Sequence, residues 1–527
     1  MNLLTKFIIL LSTLVLTSCL PPEYHLPTLE ESLENGDINE DQNKQVLKDF
    51  PLPAGHFIPA KMPMHVVYPR PDSETQNHAR HRWAHSKMNY EVPIGVQGGA
   101  WPFKYQLIEG PYGAKIGEDY GAENYGVITW RPTKSYGSAR FVVQVTDQEL
   151  NRVNIEWNVT INDSAFIFIQ DGYKGQKLGT IDSPLEDIRD WYRDDNDDKK
   201  FHNKIVVFRG GNYKLLGDPA NKYNVRLLAS TKTPSLIAFP GEKPVVDCSE
   251  AKILTDNKSM KDLFIAGIKW INGRQDVSNA HFFWAVGDVT RATWWRNHFD
   301  NLGPGKKGND NTGAVFVSGT GTLKKNLLYK QNLHTNIRNE GYNGHYAEWY
   351  VTSYLLVEEN IARNSNSQAG FFAKGTVSHV TMRANEMWEN VTGGQIAVGY
   401  GGEARSVPHH HEVCWNKVML TEGTSNAVTA FKWSSSNYYS GQTYQSFIYR
   451  NTFVNGSSWV RFKGMENFEV DANVVVTGNE SRWNTNIMDT MFRNLVGESS
   501  DNLVDENGEV LDPHLMGQVG HKVYISK

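Results

Sequence analysis

Glu358-Glu359-Asn360, then Arg383-Ala384-Asn385, then Cys414-Trp415-Asn416: three triplets ending in Asn stand at the centre of a longer series. Working outward, the ending recurs at Trp295-Arg296-Asn297 and Lys330-Gln331-Asn332 before them, and at Tyr449-Arg450-Asn451 and Asp471-Ala472-Asn473 after them. The intervals are 35, 28, 25, 31, 35 and 22 residues. A repeat of this length marks a solenoid, in which each coil is stable only against its neighbours. Unequal intervals mean that loops of different length leave one corner of an otherwise constant coil. At a tight corner Asn tolerates left-handed backbone, and its amide can hydrogen-bond to the Asn of the next coil. These Asn residues are therefore read as structural.

The unit holding this series spans 164–527. It opens with Asp171-Gly172-Tyr173 and Gly179-Thr180-Ile181-Asp182-Ser183-Pro184-Leu185, and leads to Ile205-Val206-Val207-Phe208-Arg209-Gly210-Gly211-Asn212-Tyr213. That opening resembles the start of many right-handed parallel β-helices, and implies a capping helix around Leu185 to Tyr192. Residues 64–163 read differently, as short alternating strands such as Arg140-Phe141-Val142-Val143-Gln144-Val145 and Val153-Asn154-Ile155-Glu156-Trp157-Asn158-Val159. Period two with turns at Gly98-Gly99 and Gly110-Pro111-Tyr112-Gly113 predicts a β-sandwich. It looks like the Ig or cadherin-like modules of secreted bacterial proteins, and is read as a spacer in preference to a carbohydrate-binding module. The expected fold class is all-β: a right-handed parallel β-helix preceded by a β-sandwich.

The first residues add an address. Lys6 precedes an apolar run from Phe7 to Leu16, too short to span a bilayer, and Leu16-Thr17-Ser18-Cys19 closes it. The pattern resembles the lipobox of bacterial lipoproteins, so 1–19 reads as a signal peptide and Cys19 as the lipidated residue. A lipid anchor at the bacterial outer membrane or cell surface is the expectation. Residues 20–63 are rich in Pro, Glu and Asp and read as a flexible linker. With 53 basic and 58 acidic side chains in 527 residues, the chain lacks the positive excess of a nucleic-acid binder. Only Cys248 and Cys414 follow Cys19, so no disulfide framework supports the fold. Aromatic residues make up 12%, with 15 Trp, which suits sugar platforms as well as a large β core.

Strands of successive coils can be stacked by pattern: Gly344 to Glu348, Gly370 to Lys374, Gln395 to Gly399, Val428 to Lys432 and Trp459 to Lys463. Alternation sends His345/Ala347, Phe371/Ala373, Ile396/Val398, Thr429/Phe431 and Val460/Phe462 inward. The outward set is Tyr346/Glu348, Phe372/Lys374, Ala397/Gly399, Ala430/Lys432 and Arg461/Lys463. One column then reads Glu348, Lys374, Gly399, Lys432, Lys463, a basic stripe flanked by Tyr400 and Trp433. It suits an anionic polysaccharide, whose carboxylates or sulfates would meet the lysines. His409-His410-His411, after Gly401-Gly402-Glu403-Ala404-Arg405, is read as a loop beside the stripe that brings His410 near it.

Two chemistries fit such a groove. A uronate lyase needs a base, a group that neutralises the carboxylate and a proton donor; Lys374, then Lys432 or Arg405, then Tyr400 or His410 can fill these roles. A glycoside hydrolase needs two carboxyl groups ~5–9 Å apart, and only Glu348 with Glu403 is available. The lyase is preferred. A non-catalytic surface glycan-binding protein, stacking sugars on Trp415, Trp433 and Tyr400, is the remaining alternative. The stretch Gly370-Phe371-Phe372-Ala373-Lys374-Gly375 through Asn385, then Gly393 to Gly401, resembles chondroitinase B-like and alginate lyases. That resemblance implies a lysine base at Lys374. The family's arginine and histidine positions are Gly399 and Tyr400 here, so those roles do not carry over. Its calcium-binding acidic residues have no clear match, which leaves the cofactor unknown, calcium included, and no metal ligand named.

Overall fold

A computed structural model describes residues 60, 62–133, 136–187, 203–217, 224–227, 235–255, 260–273, 281–302, 312–318, 324–337, 344–365, 370–390, 396–398, 409–420, 429–434, 445–449, 452–454, 458–463, 473–477, 480–482 and 497–500. From Phe166 onward the chain winds a right-handed parallel β-helix of three sheets, with fourteen, ten and nine strands among the described residues. In one coil, Lys324–Lys330 lies in the fourteen-stranded sheet, Leu333–Ile337 in the ten-stranded sheet and Gly344–Tyr350 in the nine-stranded sheet. Each strand pairs in parallel with its counterpart one coil on, as Leu328 with Leu356 and Leu356 with Thr381. The nine-stranded sheet carries the candidate site and is called the cleft sheet below.

The interior is a continuous apolar stack. Trp270, Trp294, Tyr329, Trp349 and Phe371 are among its members, each 1% exposed or less. Between the fourteen- and ten-stranded sheets runs the Asn ladder. Asn297 donates its amide to Asn332 Oδ1 at 3.1 Å, Asn332 to Asn360 at 3.0 Å, Asn360 to Asn385 at 2.9 Å and Asn385 to Asn416 at 2.9 Å. Each Nδ2 also reaches a backbone carbonyl, such as Asn360 to Tyr329 O at 3.0 Å. Buried amides are thereby satisfied, as burial requires. The left-handed residue at this corner is the one before each Asn: Arg296, Gln331, Glu359, Ala384 and Trp415 have φ between 52° and 58°. The Asn is present for its amide; the strain falls on its neighbour.

Residues 65–162 form short sheets, antiparallel except for Trp83–Ala84 alongside Arg152–Asn162, around Phe141 and Trp157, whose rings stack at 5.2 Å. This module does not stand apart. Its core is continuous with the outward side chains of the fourteen-stranded sheet, including Val207, Phe264, Trp295, Leu328, Leu356 and Trp415. Arg383 is fully buried beneath it, donating to Val96 O at 2.8 Å and to Glu358 Oε1 at 2.9 Å. Lys330 meets the other Glu358 oxygen at 2.7 Å. Burial would raise the Glu358 pKa, but Arg383 and Lys330 outweigh it and lower it. Cys248 and Cys414 are free, buried thiols. Leu185, at the start of the expected capping helix, makes an isolated bridge with Ile169 instead, Glu186 and Asp187 are not helical, and residues 188–192 lie outside the described residues.

Candidate active site

Cross-strand register lays rows of positions across the cleft sheet. One row reads Trp284, Phe316, Glu348, Phe372, Ala397, Lys432, Arg461. Beside it, Val286 pairs with Ser318, Tyr350 with Lys374, and Ser434 with Lys463. Before it, Gly313 pairs with His281 on one side and His345 on the other. Neighbouring strands are ~4.8 Å apart, so a row spans successive coils along the solenoid axis.

Glu348 is the centre of the site. It is 0% exposed, with Oε1 2.6 Å from Lys374 Nζ and Oε2 2.8 Å from His345 Nε2. Burial pushes its pKa up, yet His345 and Lys374 together hold it at about 2. Burial lowers the His345 pKa in turn, against the pull of Glu348. Lys374, 8% exposed, lies 5.4 Å from the ring centres of both Tyr350 and Phe372, and donates to Tyr350 Oη at 3.5 Å.

Aromatic contacts extend from this point along the sheet. Tyr350 meets Phe316 edge-on at 5.8 Å, and Phe316 lies 6.0 Å from Trp284. His281 stacks on Phe316 at 4.6 Å and 10°, and His345 lies 4.6 Å from Phe372. The Trp284 indole donates to Ser318 Oγ at 2.8 Å. Among the described residues no group of three His, Cys, Asp or Glu is placed to hold a metal ion.

Several sequence-based placements change. Glu348 and Lys374 do share the outer face, but Glu348 pairs with Phe372, and Lys432 pairs with Arg461 instead of Lys463. Every slip is of two residues, which preserves the face and moves the row. Tyr346 is not a groove residue: it is 0% exposed in the interior, against His334 and Phe371. Alternation breaks where each strand leaves its corner, so Tyr346 and Ala347 both face the core and His345 turns outward to Glu348. Phe282-Phe283 and Ala314-Val315 repeat the break in preceding coils.

His410 is not beside the stripe either. His409–Cys414 is a strand of the fourteen-stranded sheet, where His410, at φ 59°, stacks on His379 at 4.7 Å. Trp415 is 4% exposed and packs on Trp101 at 5.4 Å under the module, so it offers no sugar platform. By register Trp433 joins the row of Val398 and Phe462. The side chains of Lys432, Trp433, Arg461 and Lys463, and all of Cys19, Tyr400, Glu403 and Arg405, lie outside the described residues. Tyr350, Trp284 and Phe316 were missed by sequence. Tyr350 is two residues beyond Glu348 and falls to the same alternation once the strand is carried to its end.

No protein-family model matches the chain, and no curated protein matches it. Among solved structures it is similar to a family 28 exopolygalacturonase of Yersinia enterocolitica, at 11% identity over 72% of this chain and 86% of that one, with a TM-score of 0.28.

Proposed function

We propose that this protein degrades an anionic, uronate-containing polysaccharide by β-elimination on the outer face of the cleft sheet around Lys374. The observation that carries this reading is the grouping of a cation, a phenol and a carboxylate there: Lys374 Nζ lies 2.6 Å from Glu348 and 3.5 Å from Tyr350 Oη. Elimination needs positive charge at the uronate carboxylate, a base for the proton alpha to it, and a donor for the departing glycosidic oxygen. Lys374, held by an ion-pair partner, suits the neutralising role better than the base role assigned from sequence. Tyr350, as the phenolate beside the Lys374 ammonium, would take the alpha proton and pass one to the leaving oxygen. The C–H and glycosidic C–O bonds break, a C=C bond forms, and Tyr350 ends in its starting state. Glu348 positions Lys374.

A two-carboxylate hydrolase is less well supported, because Glu348 is the one carboxylate among the described residues of this face and it is already paired. Tyr400 and Arg405 remain proposed catalytic residues, Lys432, Trp433, Arg461 and Lys463 proposed substrate contacts, and lipidation at Cys19 a proposed anchor at the cell surface.

The test is incubation of the purified protein with alginate, chondroitin sulfate, pectate and sulfated algal glycans. The expected result is new ultraviolet absorbance from an unsaturated uronate with one of them, lost in Lys374→Ala and in Tyr350→Phe. New reducing ends without that absorbance would replace the lyase by a hydrolase. Binding without either product would make it a glycan-binding protein.

A further inference from the structure

We propose that Trp284, supported from beneath by Phe316, forms a stacking subsite for the uncharged face of a pyranose ring, so that the glycan runs along the solenoid axis from Lys374 toward the preceding coils. The inference rests on the reading of Lys374 as the reaction centre. Trp284 and Phe316 occupy the same cross-strand row as Glu348, two coils and one coil before it. Their strands therefore lie ~10 Å and ~5 Å from that of Glu348, a span of a few sugar rings.

The geometry is that of a fixed platform. Trp284 is half-buried with its indole N–H on Ser318, and it rests against Phe316, which is 6% exposed and held between the His281 and Tyr350 rings. Contacts run unbroken from Trp284 through Phe316 and Tyr350 to Lys374. A pyranose ring carries apolar C–H faces and a polar rim, which suits an aromatic plane beside a hydroxyl such as Ser318 Oγ. A uronate chain has its charges on the rim, so its carboxylates can meet Lys374 while a ring face covers Trp284. The face thus divides labour: charge is read at Lys374 and chain length at Trp284.

The test compares the unaltered protein with Trp284→Ala and Trp284→Phe, titrated with disaccharides and hexasaccharides of alginate and of pectate. With at least one of the two glycans the hexasaccharide should bind the unaltered protein more tightly than the disaccharide. Trp284→Ala should weaken the hexasaccharide about tenfold and leave the disaccharide unchanged, and Trp284→Phe should recover most of the loss. Equal weakening of both lengths, no change in Trp284→Ala, or no binding of any oligosaccharide would overturn the subsite. Length-dependent binding that needs Trp284, in a protein that produces no unsaturated uronate, would sustain the subsite while overturning the lyase.

Discussion

Lys374 Nζ and Glu348 Oε1 stand 2.6 Å apart on adjacent strands of the cleft sheet, and this contact joins two successive coils at the one carboxylate described on that face. Glu348 is almost wholly removed from water, so its charge persists only because Lys374 and His345 face it. Removing the charge while keeping the shape separates positioning from folding. Glu348→Gln should fold, and under the proposed reading should cleave about a hundredfold more slowly, because Lys374 loses its fixed position. Steady-state rates set beside a near-unchanged circular dichroism spectrum check this.

Acid sensitivity follows from the same carboxyl group. Its folded-state pKa of about 2 lies below the ~4.3 of an unfolded glutamate. A depressed carboxylate contributes stability above the unfolded value, and the contribution is lost as pH falls from ~4.3 through about 2. Urea midpoints measured across that window should fall less steeply in Glu348→Gln than in the unaltered protein. Parallel slopes would show that Glu348 is not depressed.

The Asn ladder predicts a large cost for one small deletion. Asn360→Ala removes a link to Asn385 and the acceptor for both the Asn332 amide and its backbone N–H, leaving buried donors without partners. The loss should be about 2–5 kcal/mol, read from the shift in denaturant midpoint. Ser353→Ala is the control: its hydroxyl donates to Lys324 O at a half-buried position, so its cost should be under about 1 kcal/mol.

Beneath the module, Arg383→Ala leaves Glu358 buried with Lys330 alone and frees Val96 O. Breaking one partner of such a network costs about 3–5 kcal/mol. Faster proteolysis within residues 65–162 should accompany the loss, since Arg383 ties the module strand at Val96 to the solenoid. Replacing Lys330, Glu358 and Arg383 together by Met, Leu and Met should recover most of that stability.

His410 supplies a contrast for the proposed site. It sits on a different sheet, stacked on His379, so His410→Ala should leave cleavage unchanged while Lys374→Ala abolishes it. Equal losses in both variants would put the chemistry elsewhere.

The sequence by itself determined the coil. Asn297, Asn332, Asn360, Asn385 and Asn416 announce a solenoid because a buried ladder demands an amide of one side-chain length at the same corner of every coil. It also determined the face on which Glu348 and Lys374 lie, because period-two alternation separates the two faces of a strand whatever its neighbours do. Three matters needed the tertiary structure. The row was one: a slip of two residues costs the pattern nothing, so only the backbone ladder pairs Glu348 with Phe372 and Lys374 with Tyr350. The corner was another, since Tyr346 and Ala347 both face the core where the chain turns between sheets. The last was the fate of Arg383 and Trp415, polar and aromatic residues that look like surface groups in any single coil. They are buried because a module some three hundred residues earlier in the chain lies over them, a contact that no local pattern encodes.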